Sequence, residues 1–241
     1  MQTKSYERFA GFCATVAGIC AFLYAVSFIV LRSALLSSLF LTLVGLFATP
    51  VFVALYHRLR QTEMAFALWA LIVGMTGAVG TAIHGGYDLA YNVNIPATPP
   101  PFEVLALPNQ VDPRGLLTFG FTAIALFVFS GLITRSRVFS HALGYVGYVS
   151  AILLAILYLG RLIILDPANP VILGPALLNG FIVGPIWYLW LGAALWQHAP
   201  MVAVEFRGVE RRVRERREPA MADAYSGVER RMGERRQAQM G

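Results

Sequence analysis

The chain has 241 residues, of which 57% are hydrophobic and 13% charged, and its mean hydropathy is +0.63. Soluble domains are about 45–50% apolar and about 25% charged. The composition therefore excludes an ordinary soluble domain, a disordered chain and a disulfide scaffold, and it indicates an integral membrane protein. The only two cysteines, Cys13 and Cys20, share one apolar stretch, which excludes a disulfide framework and a cysteine-based zinc site.

Charged residues divide the chain into two predicted regions. Residues 1–200 form an apolar body with few charges, and residues 201–241 form a short tail rich in Arg and Glu. Each region carries half of the formal net charge of +6. We therefore expect a transmembrane domain over 1–200 and a cytoplasmic tail over 201–241.

Six charge-poor windows in the body are each long enough for one membrane-spanning helix, which needs about 20 apolar residues. Because backbone groups in lipid must be hydrogen-bonded within the segment, these windows are predicted to be helices. The predicted spans are about 9–31, 35–57, 65–90, 115–134, 140–164 and 170–196. The predicted fold is all-α, a polytopic membrane bundle of six transmembrane helices, and the amino-terminal segment belongs to the first helix rather than to a signal peptide.

Basic residues alternate between the connections, which predicts the orientation. They gather at the amino terminus, in the second and fourth connections and in the tail: Lys4, Arg8, Arg58, Arg60, Arg135, Arg137 and ten tail arginines. We therefore expect a multi-pass protein of the cell's inner (plasma) membrane with both termini in the cytoplasm. In the outer connections, Asp112-Pro113 and Asn169-Pro170 each predict a capping residue followed by proline at the first helical position.

Polar residues are predicted to cluster at the outer end of the bundle. His84 and Asp88 lie four residues apart near the end of the third span and share a helix face. Arg161 lies at the outer end of the fifth span. Ionisable residues within spans usually face the bundle interior or a watery cavity. The candidate binding residues are His84, Tyr87, Asp88, Asn109, Asp112, Arg114, Arg161 and Asp166.

Two interpretations of this cluster remain open. In the first, it forms an outward-facing pocket under the proline-rich loop 92–111, where Arg161 holds an anionic group and His84, oriented by Asp88, exchanges a proton. In the second, Arg161 pairs with Asp88 or Asp166 while the other polar residues only cap helices. Known catalytic motifs are missing from the sequence. We therefore expect no catalytic residues, metal or cofactor, and an enzyme would depend on His84 alone.

The tail contains a duplicated motif. Gly208-Val209-Glu210-Arg211-Arg212, followed by Glu215-Arg216-Arg217, recurs nineteen residues later as Gly227-Val228-Glu229-Arg230-Arg231, followed by Glu234-Arg235-Arg236. Its repeated arginines are candidates for contact with anionic lipid or an acidic protein. The absence of interleaved aromatic residues argues against a nucleic-acid partner. The alternative is a solvated tail that only helps to fix the topology.

The six spans, the charged termini and the sequence Leu-Tyr-His-Arg-Leu-Arg (Leu55–Arg60) resemble a large group of uncharacterised bacterial six-helix membrane proteins. The resemblance covers about residues 5–198 and implies a helical bundle without an established activity. Three functions follow as hypotheses. The preferred one is small-solute binding or transport through the outer polar cluster. The others are a membrane anchor or complex subunit that acts through the tail, and a membrane-embedded enzyme that uses His84. A homo-oligomer is compatible with each function, although no sequence feature demands one.

Overall fold

The computed structural model describes residues 2–93, 109–164, 166 and 168–197, with side chains from Ser5 onward. Over these residues the protein is all-helical, and six helices are long and apolar enough to cross a membrane. They run over Ser5–Val30, Ala34–Leu59, Met64–Val93, Leu116–Arg135, His141–Ile163 and Pro170–Gln197. We call these helices spans one to six. The prediction of an all-helical fold with six helices long and apolar enough to span a membrane is thus confirmed.

Three of the spans contain a segment of π-helix, in which the backbone is wider than in an α-helix. These segments are Val26–Val30 at the end of span one, Leu116–Phe121 at the start of span four and Asn179–Val183 inside span six. Within span six, the π-helical segment separates the α-helices Pro170–Leu178 and Gly184–Gln197. Such segments are rare and occur frequently at functional sites.

Serine or asparagine side chains cap the starts of spans two, five and six, and the prediction for Asn169-Pro170 is confirmed. Ser33 precedes span two and accepts a hydrogen bond from Leu36 N at 3.4 Å, and Asn169 precedes span six and accepts one from Val171 N at 3.0 Å. The prediction for Asp112-Pro113 was wrong in one respect. Span four begins at Leu116, and Pro113 lies in the turn before it rather than at the first helical position.

Span two packs most extensively against span three, and span one against the second half of span six. The centre of the bundle is filled by large side chains, among them Phe52 of span two and Phe129 of span four, whose rings stack with centroids 5.8 Å apart. Short connections join spans one to two, two to three, four to five and five to six, and the contacts of His84 with Asp112 and Thr118 place the end of span three beside the start of span four. The ends of spans one, three and five therefore lie beside the starts of spans two, four and six, and we call this the polar end of the bundle.

Candidate functional site

A buried histidine organises the polar end. His84, in the last third of span three, is 9% exposed and lies between two carboxylates. Its Nε2 is 3.4 Å from Oδ2 of Asp88, one helical turn further along, and its Nδ1 is 3.3 Å from Oδ2 of Asp112. The hydroxyl of Thr118 lies 3.2 Å from the same Nδ1. Together with Asn109, these four residues form what we call the His84 network.

Asp112 is the most enclosed member of the network, at 2% exposure. Its carboxylate accepts hydrogen bonds from the backbone N–H of Leu117 and Thr118 at 3.1 and 3.0 Å and from the Thr118 hydroxyl at 2.8 Å. Burial opposes ionisation of this carboxyl, but its hydrogen bonds to His84, Thr118 and Leu117 outweigh burial and hold the pKa of Asp112 well below its usual range. Asp112 is therefore an anion at neutral pH, and it caps the start of span four.

Asp88 connects the network to the surface because its side chain is 38% exposed. Its Oδ1 accepts a hydrogen bond from Asn109 Nδ2 at 2.6 Å, and Asn109 Oδ1 in turn accepts from the backbone N–H of Val111 and Asp112. Beside it, the Tyr87 hydroxyl donates to Gln110 Oε1 at 2.9 Å. The segment 109–118 is thus fastened to the end of span three by several side-chain contacts.

A cavity of about 290 Å³ lies inside the bundle next to this network. It is lined by residues from all six spans, and most of the lining is aliphatic or aromatic. Small-molecule sites have a similar character, with volumes of about 300–1,000 Å³, mainly apolar walls and a few placed polar groups. Apart from two arginines, the polar residues that line the cavity are Tyr24, Thr81, Thr118, Thr122, Ser150, Asn179, Trp187 and Tyr188.

Two arginines line the cavity at its polar end. They are Arg114, in the turn before span four, and Arg161, in the last turn of span five. The Arg161 guanidinium lies over the ring of Phe119, with Cζ 5.5 Å from the centroid, which is a cation–π contact. Among the described residues, no carboxylate lies within 4 Å of either guanidinium. The alternative in which Arg161 pairs with Asp88 or Asp166 is therefore not what the structure shows.

All three π-helical segments contribute to the wall of this one cavity. Phe28 and Ile29 come from the first segment, Thr118 and Phe119 from the second, and Asn179 and Gly180 from the third. Each segment redirects side chains relative to a regular α-helix. The irregular backbone of the bundle is thus concentrated around the cavity.

The structure brings most of the predicted site residues together. His84, Asp88, Asn109 and Asp112 share one network, Tyr87 contacts the same segment through Gln110, and Arg114 and Arg161 face the cavity. Asp166 is exposed, and its Oδ1 accepts a hydrogen bond from Ala168 N. Among the described residues, no three His, Cys, Asp or Glu side chains come together as ligands for a metal ion. The tail arginines, with their predicted partners, lie outside the described residues.

Sequence reasoning missed Thr118 and the polar residues of the cavity interior. Thr118 joins the network and the cavity, and Ser150 donates a hydrogen bond to Asn179 Oδ1 at 2.7 Å between spans five and six. The sequence did contain a signal for the Ser150–Asn179 pair, since Asn179 is the only amide residue in the middle of a predicted apolar span. For Thr118 there was none, because threonine is common in membrane helices.

No family model matches the chain, and no curated protein or solved structure matches it either. The resemblance to uncharacterised six-helix proteins therefore stays a prediction.

Proposed function

We propose that this protein binds an amphipathic anion in the central cavity, as a solute-binding or transport protein of the membrane. The observation that carries the proposal is the pairing of an apolar cavity with two arginines, Arg114 and Arg161, at its polar end. The ligand would place a carboxylate, phosphate or sulfonate group on the guanidinium groups and an apolar chain in the cavity.

The electrostatics favour an anion over a neutral or cationic ligand. Ionisable groups in a span are costly unless they are paired or reach water. Asp88 and Asp112 are directed at His84, and Asp166 accepts a hydrogen bond from Ala168 N. Neither cavity arginine has a carboxylate partner among the described residues. Arginine presents several N–H donors in a plane, which suits bidentate contact with an oxyanion.

The shape of the cavity sets the length of the apolar part. From Arg161 in the last turn of span five to Ser150, which also lines the cavity, the helix rises by about 16 Å. That distance is about half the thickness of the hydrocarbon core. A single chain of medium length fits this space, whereas a bare inorganic anion would leave most of it unused.

The orientation belongs to the same proposal. Basic residues concentrate at the end of the bundle opposite the cavity arginines, as in Arg58, Arg60, Arg135 and Arg137. By the positive-inside rule, the polar end then faces outward and both termini are cytoplasmic. The ligand would enter from the outer surface of the inner membrane.

Quenching of Trp187 by a brominated amphiphile tests the proposal. Trp187 lines the cavity and is 1% exposed, whereas Trp69, Trp190 and Trp196 are 39–52% exposed on the bundle surface. Replacing these three by Phe leaves Trp187 as the sole tryptophan. The protein is placed in phosphatidylcholine nanodiscs and titrated with bromododecane sulfonate, which should quench Trp187 saturably.

Arg161→Gln should weaken this binding by roughly 10- to 150-fold, because a hydrogen bond to a charged group contributes about 1.5–3 kcal/mol. Arg32→Gln is the matched control, since Arg32 lies at the same end of the bundle, between spans one and two, and does not line the cavity. It should bind as the parent does. Non-saturable quenching, or an equal effect of the two variants, would refute the proposal. Equal competition by inorganic phosphate would refute the amphipathic part of it.

A further inference from the structure

Each ring nitrogen of His84 faces a different carboxylate, and this arrangement bears on the protonation state of the ring. Nε2 faces Oδ2 of Asp88 at 3.4 Å, and Nδ1 faces Oδ2 of Asp112 at 3.3 Å. A neutral imidazole has one N–H, so one of these contacts would place a lone pair against a carboxylate. Only the imidazolium donates to both. With Asp88 and Asp112 both ionised, the imidazolium is the form of His84 that satisfies both contacts.

Thr118 fits the same assignment. Its hydroxyl donates to Asp112 Oδ2 at 2.8 Å, so its oxygen is directed as an acceptor toward the N–H at His84 Nδ1, 3.2 Å away. Asp112 thereby receives donors from span three and from span four at one carboxylate. His84 is the span-three donor to Asp112.

Asp112 also controls the position of Arg114. The backbone carbonyl of Asp112 accepts a hydrogen bond from Gly115 N at 3.1 Å, which closes a turn around Arg114. Gly115 has a φ of +79°, a conformation that favours glycine, and from there the chain enters the π-helical segment with Phe119. Phe119 lies under the Arg161 guanidinium. A shift of Asp112 would therefore disturb the surroundings of both cavity arginines.

Resting on the proposed anion site, we infer that His84 is a positioning residue whose imidazolium holds the Asp112–Phe119 wall in its binding geometry, so that anion binding requires protonated His84. The ring does not line the cavity itself. Loss of its proton would release one carboxylate contact, loosen the wall and weaken the ligand's hold on Arg114 and Arg161.

The charged groups around His84 support a proton-linked role. Asp88 faces it from its own helix, and Asp112 with the Thr118 hydroxyl faces it from the segment leading into span four. Span two packs against the neighbouring Gly85 through Thr42 and the backbone carbonyl of Ser38, and its residues 34–50 include no ionisable side chain. The cations of this region, Arg114 and Arg161, line the cavity. Two carboxylates thus contact one imidazole, and Asp88 connects it to the protein surface.

The test is the pH dependence of bromododecane sulfonate binding, measured by Trp187 quenching from about pH 5 to about pH 9, where histidine changes charge. The sulfonate stays an anion throughout. The parent should lose at least about tenfold in affinity as the pH rises. Asp88→Asn should keep the affinity at low pH and shift the midpoint to lower pH, because one of the two anions that favour the imidazolium is removed. A structural role alone predicts no such shift.

His84→Gln should bind weakly at every pH, without a midpoint. Arg161→Gln should be weaker at every pH and keep the midpoint of the parent, because it removes a ligand contact and leaves the network intact. NMR of labelled histidine side chains reports the protonation of His84 without ligand. Saturable binding that stays constant while His84 titrates would overturn this inference and leave the anion site standing. The absence of saturable binding at any pH would overturn both.

Discussion

Two adjacent glycines in span three provide a direct test of the packing between spans two and three. A Cβ built on Gly85 would lie 2.5 Å from the backbone N of Thr42 and 2.9 Å from the backbone O of Ser38, whereas a Cβ on Gly86 meets nothing within 4 Å. Both glycines lie inside the same helix, one residue apart. Alanine should therefore be tolerated at 86 and resisted at 85.

The size of the effect follows from the geometry. At Gly85 the new methyl would be about 0.9 Å short of ordinary van der Waals contact, and the opposing atoms are backbone, so the two helices must separate. Overpacking of this kind costs about 1–3 kcal/mol. Alanine in place of glycine inside a helix contributes about 1 kcal/mol in the other direction. That contribution is common to both variants, so their difference in unfolding free energy isolates the steric cost.

The assay is equilibrium unfolding in mixed micelles with increasing dodecyl sulfate, followed by helical circular dichroism, for Gly85→Ala and Gly86→Ala. We expect Gly85→Ala to be less stable than Gly86→Ala by about 1–3 kcal/mol. Gly86→Ala should equal or exceed the parent. Equal stability of the two variants, or a more stable Gly85→Ala, would show that spans two and three do not approach as closely as described.

Two further substitutions test individual polar contacts. Asp112→Asn should destabilise the protein near neutral pH by about 1.5–3 kcal/mol, through the loss of charge-assisted hydrogen bonds. Because folding lowers the pKa of Asp112, the ionised carboxylate stabilises the protein above the ordinary carboxyl pKa of about 3.9, and this stabilisation is lost as the pH falls below that value. The difference in stability between the parent and Asp112→Asn should therefore narrow in acid. A difference that stays constant with pH would contradict the assignment. Ser150→Ala removes the hydrogen bond to Asn179 and should lower the stability by about 0.6–1.7 kcal/mol in the same unfolding assay. An unchanged unfolding midpoint would show that this hydrogen bond does not stabilise the folded bundle.

The six helices could be predicted because the membrane imposes a simple rule on the sequence. A span needs a minimum apolar length, and the charges at Arg58, Glu63 and Arg135 lie at or beyond the limits of such stretches. The π-helical segments could not be predicted in this way. They depend on how helices pack around the cavity, and a local apolar sequence such as Val26–Val30 reads equally well as α-helix.

Most residues of the candidate site could be predicted from the sequence, but the second partner of His84 and the partner of Arg161 could not. The scarcity of charge made His84, Asp88 and Arg161 conspicuous, and the four-residue spacing placed the first two on one face. Sequence separation could not show that Asp112, twenty-eight residues from His84, would supply the second carboxylate. It also could not show that Arg161 would lie against Phe119 rather than beside an aspartate.

The distribution of counter-charges distinguishes a ligand site from a purely structural polar cluster. A bundle selected for stability alone would pair each arginine with a carboxylate, since an unpaired ion near hydrocarbon is costly. Here Asp88 and Asp112 are directed at His84, and Asp166 accepts a hydrogen bond from Ala168 N. Arg161 lies over the ring of Phe119, which is a cation–π contact. Under the proposed function, an external anion would compensate the charge of the two cavity arginines. We therefore expect the ligand of the proposed site to supply an anionic group to Arg114 and Arg161, and the quenching titration with Arg161→Gln tests this expectation.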